Sequence, residues 1–421
     1  MSIDSLKNRI QKRKLFEQKK QDYSDIGSVI KKRRKELNKT QDEIAKGICS
    51  ISYLSKIENN QIIPSEWSVR EIMSRLEIDS EVFIESLSEQ RYLRDTIQAF
   101  YDLDDTKMRM IYEMIAPIEH NVTINLCKLA YTVYFEMDDD KQYVMMLEHL
   151  VNNMTDLEIA FYLYLSALYF VSNQKYKVAL ELVTMYTSIL KTDTNLEGMV
   201  KELSYRIKLR LFKKSCAALD YRDARELYTR SHNLKRLIRL SISRISEIAE
   251  EHPNKALDML NHIQLDMMSQ TDLDWVNFLK AKILIDLQQY QEASMILKEI
   301  DVDSPYYFRK MTALYEICLL EGDENTASDI ENTLITLKPH KREIGYKIRY
   351  HYLTQKSSER KKEYLRDIAI PVSIRIEDYK MLFNYTMDIM QLCMEGSRYK
   401  EATSFFQKYQ KELEKINRIL S

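Results

Sequence analysis

The sequence predicts an all-α fold: a small basic helix-turn-helix head followed by a right-handed α-solenoid of about eight helical hairpins. Three observations carry this. The 421 residues contain only six Gly and six Pro, too few turn formers for an all-β chain. A set of short, capped, amphipathic segments lies between residues 26 and 76. Beyond residue 100, a small residue behind an aromatic recurs about every 35 positions.

The head comes first. Apolar residues Ile26, Val29, Ile30 and Leu37 mark one buried stripe of a helix over 26–38, among Lys31, Lys32, Arg33, Arg34 and Lys35. Thr40-Gln-Asp-Glu43 has capping-box spacing, so a second helix is expected over 41–48, burying Ile44, Ala45 and Ile48. Ser50 caps a third over 51–59, with Leu54 and Ile57 inside. Pro64-Ser65 starts a fourth, with Trp67, Val69, Ile72 and Leu76 on its inner side. Two short helices joined tightly can lay the second of them in a DNA major groove. The residues expected to reach DNA are Ser50, Ser52, Tyr53, Ser55 and Lys56 from the third helix and Gln41 from the second. Arg33, Lys35, Asn59 and Gln61 are expected on the backbone.

Charge agrees with this. Residues 1–35 hold twelve Lys/Arg against four acids, a net of +8, so the other 386 residues carry −9. A basic head on an acidic body suits a nucleic-acid reader with a separate sensor. Residues 1–24 form a basic extension, in which Ile3, Leu6 and Ile10 share one helical side. It is read as a DNA-backbone arm, a dimer contact or a disordered tail.

Thr-Gln-Asp-Glu-Ile-Ala (40–45) with Ser-Tyr-Leu-Ser-Lys-Ile-Glu-Asn (52–59) resembles the Cro/C1-type helix-turn-helix over about residues 26–80, closest to regulators of the PlcR/NprR type. Two departures stand out. Cys49 falls where a turn glycine is usual, with one residue fewer in the turn, and Asn60 replaces the glycine after Glu-Asn.

In the body, Tyr-x-x-Ala occurs at Tyr176/Ala179, Tyr221/Ala224, Tyr290/Ala293 and Tyr399/Ala402, with Ala256 and Ala327 in similar settings. Successive alanines lie 45, 32, 37, 34 and 75 residues apart, the last gap hiding a member near Leu365, and Val144 extends the series backward. A small residue opening the second helix of each pair is the signature of a tetratricopeptide (TPR) repeat. The division expected is 1–24 extension, 25–80 DNA-binding domain, 81–105 helical connector, and 106–421 TPR-like sensor and dimerisation domain.

A Cro/C1-type head on a TPR body resembles the Rap/Rgg/NprR/PlcR/PrgX group. That resemblance implies a quorum-sensing transcription regulator whose concave face binds a short signalling peptide. Counting along the repeats puts Arg206, Leu209, Arg210, Lys213, Trp275, Phe278, Lys282, Arg309, Lys347, Asn384 and Gln391 on that face. Asn277 lies one step off it. Arg206, Arg210, Lys213, Asn277, Lys282, Arg309 and Asn384 are the candidate peptide contacts, because cations hold carboxylates and an asparagine amide matches a peptide bond. Alternatives are a protein-binding regulator of a phosphorelay response regulator, of Rap or NprR type, and a phage lysis–lysogeny peptide receptor.

The remaining features set limits. No Gly-rich phosphate loop or nucleophile–base pair occurs, so a binding protein without cofactor is expected rather than an enzyme. The five cysteines lie 75 or more residues apart, outside any zinc spacing, and read as reduced core thiols of a cytoplasmic protein. The longest apolar run, Ile159–Val171, has 13 residues and is too short to span a bilayer. Expected partners are a palindromic duplex operator, a short peptide and a second copy of the chain in a homodimer, with no membrane.

Overall fold

Side-chain caps decide where the head's helices begin. In the computed structural model, which describes residues 6–10, 26–59, 61–62, 64–78, 81–118, 121–137, 139–189, 194–339 and 343–419, the first head helix is α1 (Ile26–Glu36). Thr40 opens α2 (Gln41–Ala45): its hydroxyl accepts from Glu43 N–H at 3.2 Å, and its own N–H donates to the Glu43 carboxylate at 2.6 Å. Ser50 caps α3 (Ile51–Glu58), accepting from Tyr53 N–H, and Ser65 caps α4 (Glu66–Arg75). Asn60 and most of the 1–24 extension lie outside the described residues.

Two expectations fail here. The second helix was expected to reach Ile48, but it stops at Ala45 because Gly47 follows at φ +76°, in left-handed backbone suited to glycine. Gly47 thus does the turning that the missing glycine at Cys49 left unassigned, and Cys49 packs half-buried on the core. Trp67 is 56% exposed instead of lying inside. Val69, Ile72, Met73 and Leu76 fill α4's inner stripe, and Trp67, two residues before Val69, lies about 200° round the helix. With Ile30, Ile44, Ala45, Leu54 and Ile57 these residues make a single head core.

Beyond the head the chain is helical throughout its described length. α5 (Glu81–Asp102) runs through the expected connector, followed by α6 (Asp105–Ile115). Eight helical pairs come next. They are α7 (Val122–Tyr134) with α8 (Asp140–Leu150), α9 (Asp156–Ser172) with α10 (Tyr176–Ile189), α11 (Thr194–Arg210) with α12 (Lys214–Arg230), and α13 (Leu234–Ile248) with α14 (Pro253–Asn261). Then follow α15 (Gln270–Asp286) with α16 (Tyr290–Lys298), and α17 (Tyr307–Glu321) with α18 (Glu324–Thr336). The last are α19 (Ile344–Leu353) with α20 (Ser358–Tyr364) and α21 (Ile370–Arg375), and α22 (Tyr379–Glu395) with α23 (Tyr399–Ile419). This is a TPR-like solenoid. The chain forms two compact units, residues 1–100 with 104–165, and 101–103 with 166–421.

The repeat is more regular than its sequence signature. From the second pair onward, the fourth residue of each second helix is Ala179, Ala217, Ala256, Ala293, Ala327, Lys361 and Ala402, and all six alanines are 5% exposed or less. In α8 the fourth residue is Tyr143, and Val144, expected to extend the series, comes fifth. Tyr221/Ala224 therefore did not mark a helix start. That pair sits mid-helix in α12, whose opening small residue is Ala217. The skipped member is Lys361 in α20, where the helix runs into a π-helical segment, Leu365–Ala369, just before Pro371. Proline removes one donor and crowds the carbonyl four residues back, and a wider turn relieves both.

Few glycines serve these turns. Gln174, Phe212, His232, Gln288, Glu377 and Ser397 take φ between 56° and 62° after a helix, and the next N–H reaches back to close the end. Examples are Gln289 N–H to Leu284 O at 2.8 Å and Arg398 N–H to Cys393 O at 2.8 Å. Where helices approach most closely a glycine is needed for room: a Cβ on Gly198 of α11 would stand 2.9 Å from the Tyr228 ring of α12.

Candidate functional site

In the head, a buried ion pair fixes the frame on which α3 is displayed. Glu58, at the end of α3, has a fully buried side chain and accepts from Nε and Nη2 of Arg34 on α1, at 2.6 and 2.8 Å. Gln41 Nε2 donates to the same carboxylate at 2.9 Å. Burial alone would raise the Glu58 pKa; the Arg34 and Gln41 hydrogen bonds outweigh it and hold the carboxylate below its usual range. Arg34 also donates to Lys39 O at 2.9 Å, so one side chain ties α1, α3 and the loop into α2.

This frame leaves α3 with an outward stripe of Ser52, Ser55, Lys56 and Asn59. Ser52, Lys56 and Asn59 are exposed and Ser55 half-buried, while Tyr53 leans on the core. Ser50 is exposed, with its oxygen occupied as the cap. Lys35 and Gln61 are exposed at the margins. Three expected contacts have intramolecular partners. Arg33 Nε donates to Leu76 O at 3.2 Å, Gln41 serves Glu58, and Asn59 Oδ1 accepts from Lys31 at 3.1 Å. Their sequence positions revealed neither the pairing with Leu76 nor the one with Glu58.

In the second unit, charged side chains of the first helices gather along one inner space. Arg210 of α11 pairs with Asp378 at the start of α22 at 3.0 Å, and its pKa is raised by Asp378 first, then by Tyr176 and Tyr346. Arg206, exposed on α11, acts on Tyr176 beside Arg210. Arg309 of α17 pairs with Glu343 at 2.5 Å and stacks between Tyr306 and Tyr346, 4.7 and 4.9 Å from their ring centres. Lys282 of α15 faces Asp286 and Lys380. Burial, against the opposing pull of Glu250, leaves Lys380 below the usual lysine range, with Arg210 and Lys282 adding to the effect.

Four of the seven peptide candidates, Arg206, Arg210, Lys282 and Arg309, thus come together. Asn384 is exposed on α22 and Lys347 on α19. Lys213 does not belong to the helix face: it stands in the turn at the N-cap of α12, because α11 ends at Arg210. Asn277 donates to Glu299 at the end of α16 at 3.0 Å, on the hairpin side. Gln391 bonds Glu395 at 3.1 Å, and Phe278, 6% exposed, is core.

Counting missed one residue that links three helices of the row, Arg349 of α19. It pairs with Glu316 of α17 and, at 4.0 Å, with Asp388 of α22, and lies over the Tyr352 ring at 5.3 Å. Burial raises the pKa of Asp286 and of Asp388 above the carboxylate range, with Arg349 opposing in both. The two aspartates, unlike Arg349, were legible in the sequence: Asp286 and Asp388 follow Lys282 and Asn384 by one helical turn, so each shares their face. Among the described residues no group of side chains could hold a metal ion, and no helix is long and apolar enough to cross a membrane.

Residues 30–83 match the helix-turn-helix family. Over 401 residues the chain is 23% identical to a transcriptional activator, NprA, of Geobacillus stearothermophilus, covering 86% of this chain and 97% of the relative. Two solved structures share the fold. A Rap protein complexed with competence and sporulation factor aligns with TM-score 0.63 at 12% identity, over 79% of this chain and 99% of that one. NprR in complex with its cognate peptide NprX aligns with TM-score 0.59 at 15% identity, over 76% and 96%.

Proposed function

We propose that this chain, a helix-turn-helix head on a Rap- and NprR-like helical scaffold, is a sequence-specific transcription regulator whose solenoid receives a short signalling peptide. The observation that carries the reading is the coexistence of two faces on one chain. One is the polar and basic outer stripe of α3, held rigid by the Arg34–Glu58 pair. The other is the inner row running from Arg206 to Asp388. Rigid display of a few side chains is what base-edge reading needs. A groove with alternating cations, carboxylates and tyrosines offers partners to the termini, amides and side chains of an extended peptide. The likeness to NprA and to the peptide-bound NprR supports both halves.

In this reading two heads sit in successive major grooves of a palindromic duplex, about 34 Å apart. Peptide shifts the equilibrium between arrangements of the bodies only through its differential affinity for them. The test is duplex selection from a random pool by the full chain, followed by fluorescence anisotropy. Lys56→Ala, at an exposed position, is expected to lower affinity several-fold and to flatten the salt dependence by about one ion. Recovery of no preferred duplex rejects the reading. Peptide binding is followed by Trp275 fluorescence in a Trp67→Phe background, these being the chain's two tryptophans.

A second reading has its own support, the coverage of 99% of a Rap protein by this chain. In it, the body also engages a response regulator. Undiminished binding of a response regulator by the Lys56→Ala chain, with DNA affinity lowered several-fold, separates the two.

A further inference from the structure

The head leaves two large apolar side chains exposed among its described residues, Trp67 and Ile51. Ile51 is the more informative. It is the first residue of α3, immediately after the Ser50 cap, and 48% exposed. An aliphatic side chain left in water at a helix end loses the stabilisation that burial would bring, and the described residues of the head leave about half of this one uncovered. Its neighbours define what can cover it. Ser52 follows it, and Ser55, Lys56 and Asn59 continue the same outer side, all polar or cationic. A protein surface that buried Ile51 would also bury this polar stripe and the Lys56 charge. A DNA major groove satisfies all of them together, because it presents hydrogen-bonding base edges, phosphates and one apolar feature, the thymine 5-methyl group.

We infer that Ile51 is a specificity-determining residue that packs on a thymine methyl in each half-site, while Lys56 grips phosphate and Ser52 and Ser55 face base edges. The assignment rests on the DNA-reading function proposed above and adds a base identity to it. α3 enters the groove N-terminus first, so its first turn reaches deepest, and Ile51 is the only aliphatic residue exposed on that helix. The interaction is apolar burial and needs no hydrogen bond.

The test separates this assignment from the function it rests on. The full chain selects its preferred duplex from a random pool. Each thymine of that duplex is then replaced, one position per half-site at a time, by deoxyuridine, which differs only in lacking the methyl group. At one position the native chain is expected to lose about fourfold in affinity per half-site, the equivalent of one methyl kept in water. Ile51→Ala should bind the thymine duplex more weakly by at least that factor and make no distinction between thymine and deoxyuridine there. Ile51→Val should retain part of the distinction. Because Ile51 is half-exposed, the melting temperature of each variant should match that of the native chain, which excludes unfolding as the cause. Equal affinity of the native chain for every deoxyuridine duplex overturns the proposal, as does an unchanged fourfold loss in Ile51→Ala or a preferred duplex without thymine. Failure to recover any preferred duplex overturns the DNA-reading function itself, and this assignment with it.

Discussion

Arg210 and Asp378 stand 168 residues apart in the chain and meet through a 3.0 Å ion pair. The pair has company. Glu377 accepts from Lys177 N–H at 3.0 Å and pairs with its Nζ at 3.5 Å, and Phe212 lies 5.3 Å from Phe383. Helices α10 and α11, at one end of the inner row, thus hold the start of α22 at the other. The Arg210 side chain is 51% exposed, so this one pair contributes at most about 1 kcal/mol, and the latch is salt-sensitive.

The first prediction follows. Arg210→Ala with Lys177→Ala should widen the separation of α12 and α22, read by spin-label distances between the native exposed Cys216 and Met387→Cys. High salt should widen it in the native chain in the same direction. An unchanged distance in both cases would mean that packing, not charge, holds the ends together.

Glu58 carries the second prediction. Its pKa is held below the ordinary carboxylate value of 4.5, so its stabilisation is complete above that pH and lost as pH falls through the lower folded value. The head should therefore melt earlier at pH 3 than at pH 7. Glu58→Ala should cost about 3 kcal/mol by stranding Arg34 in a buried site. Thermal melts followed by Trp67 fluorescence in a Trp275→Phe background decide this.

What the sequence disclosed about this fold depended on how local the signal was. Thr40, Ser50 and Ser65 sit beside the helices they cap, so three head helices could be started correctly from sequence. The end of α2 could not, because Gly47 is separated from the position where a glycine was sought. Ala224 misled because Tyr-x-x-Ala says that a small residue follows an aromatic, not where a helix begins; Lys214 begins it. Arg206, Arg210, Lys282 and Arg309 were reachable by counting within single helices. Arg349 was not, since its importance arises from Glu316 and Asp388 on two other helices.

The turns yield a third prediction. Gln288 holds φ 62°, a conformation that costs a side-chain-bearing residue about 1 kcal/mol and glycine almost nothing. Gln288→Gly should stabilise the chain by about 0.5 kcal/mol after the added chain entropy of glycine is counted. Gln288→Val, β-branched at the same φ, should destabilise it. Denaturant titration with equal slopes tests both, and destabilisation by glycine would refute the argument.

Gly198 gives the opposite expectation. An alanine Cβ there would meet the Tyr228 ring at 2.9 Å, and Tyr228 cannot retreat, being fully buried with its hydroxyl donating to Glu202 at 2.6 Å. Gly198→Ala should cost about 1–3 kcal/mol despite alanine's better helix propensity. A compensating Tyr228→Leu should recover part of the loss, and only if the clash is its source. Strict additivity of the two changes would point elsewhere.

The last prediction concerns the inner row and works through linkage. Asp286 and Asp388 have folded pKa values raised above the usual 3.8, so the folded chain binds more protons than the unfolded one just above that pH. Stability should therefore fall as pH rises from about 3.8 through the raised values. Arg349 limits that fall, because its charge opposes both shifts. Replacing it by the uncharged, similarly long methionine leaves Glu316, Asp286 and Asp388 facing one another without it. Both carboxylates should then titrate higher, and the fall should extend to higher pH. Arg349→Met should accordingly melt below the native chain by a margin that is larger at pH 8 than at pH 5. If the margin is the same at both, Arg349 supports the row by packing over Tyr352 and not by its charge.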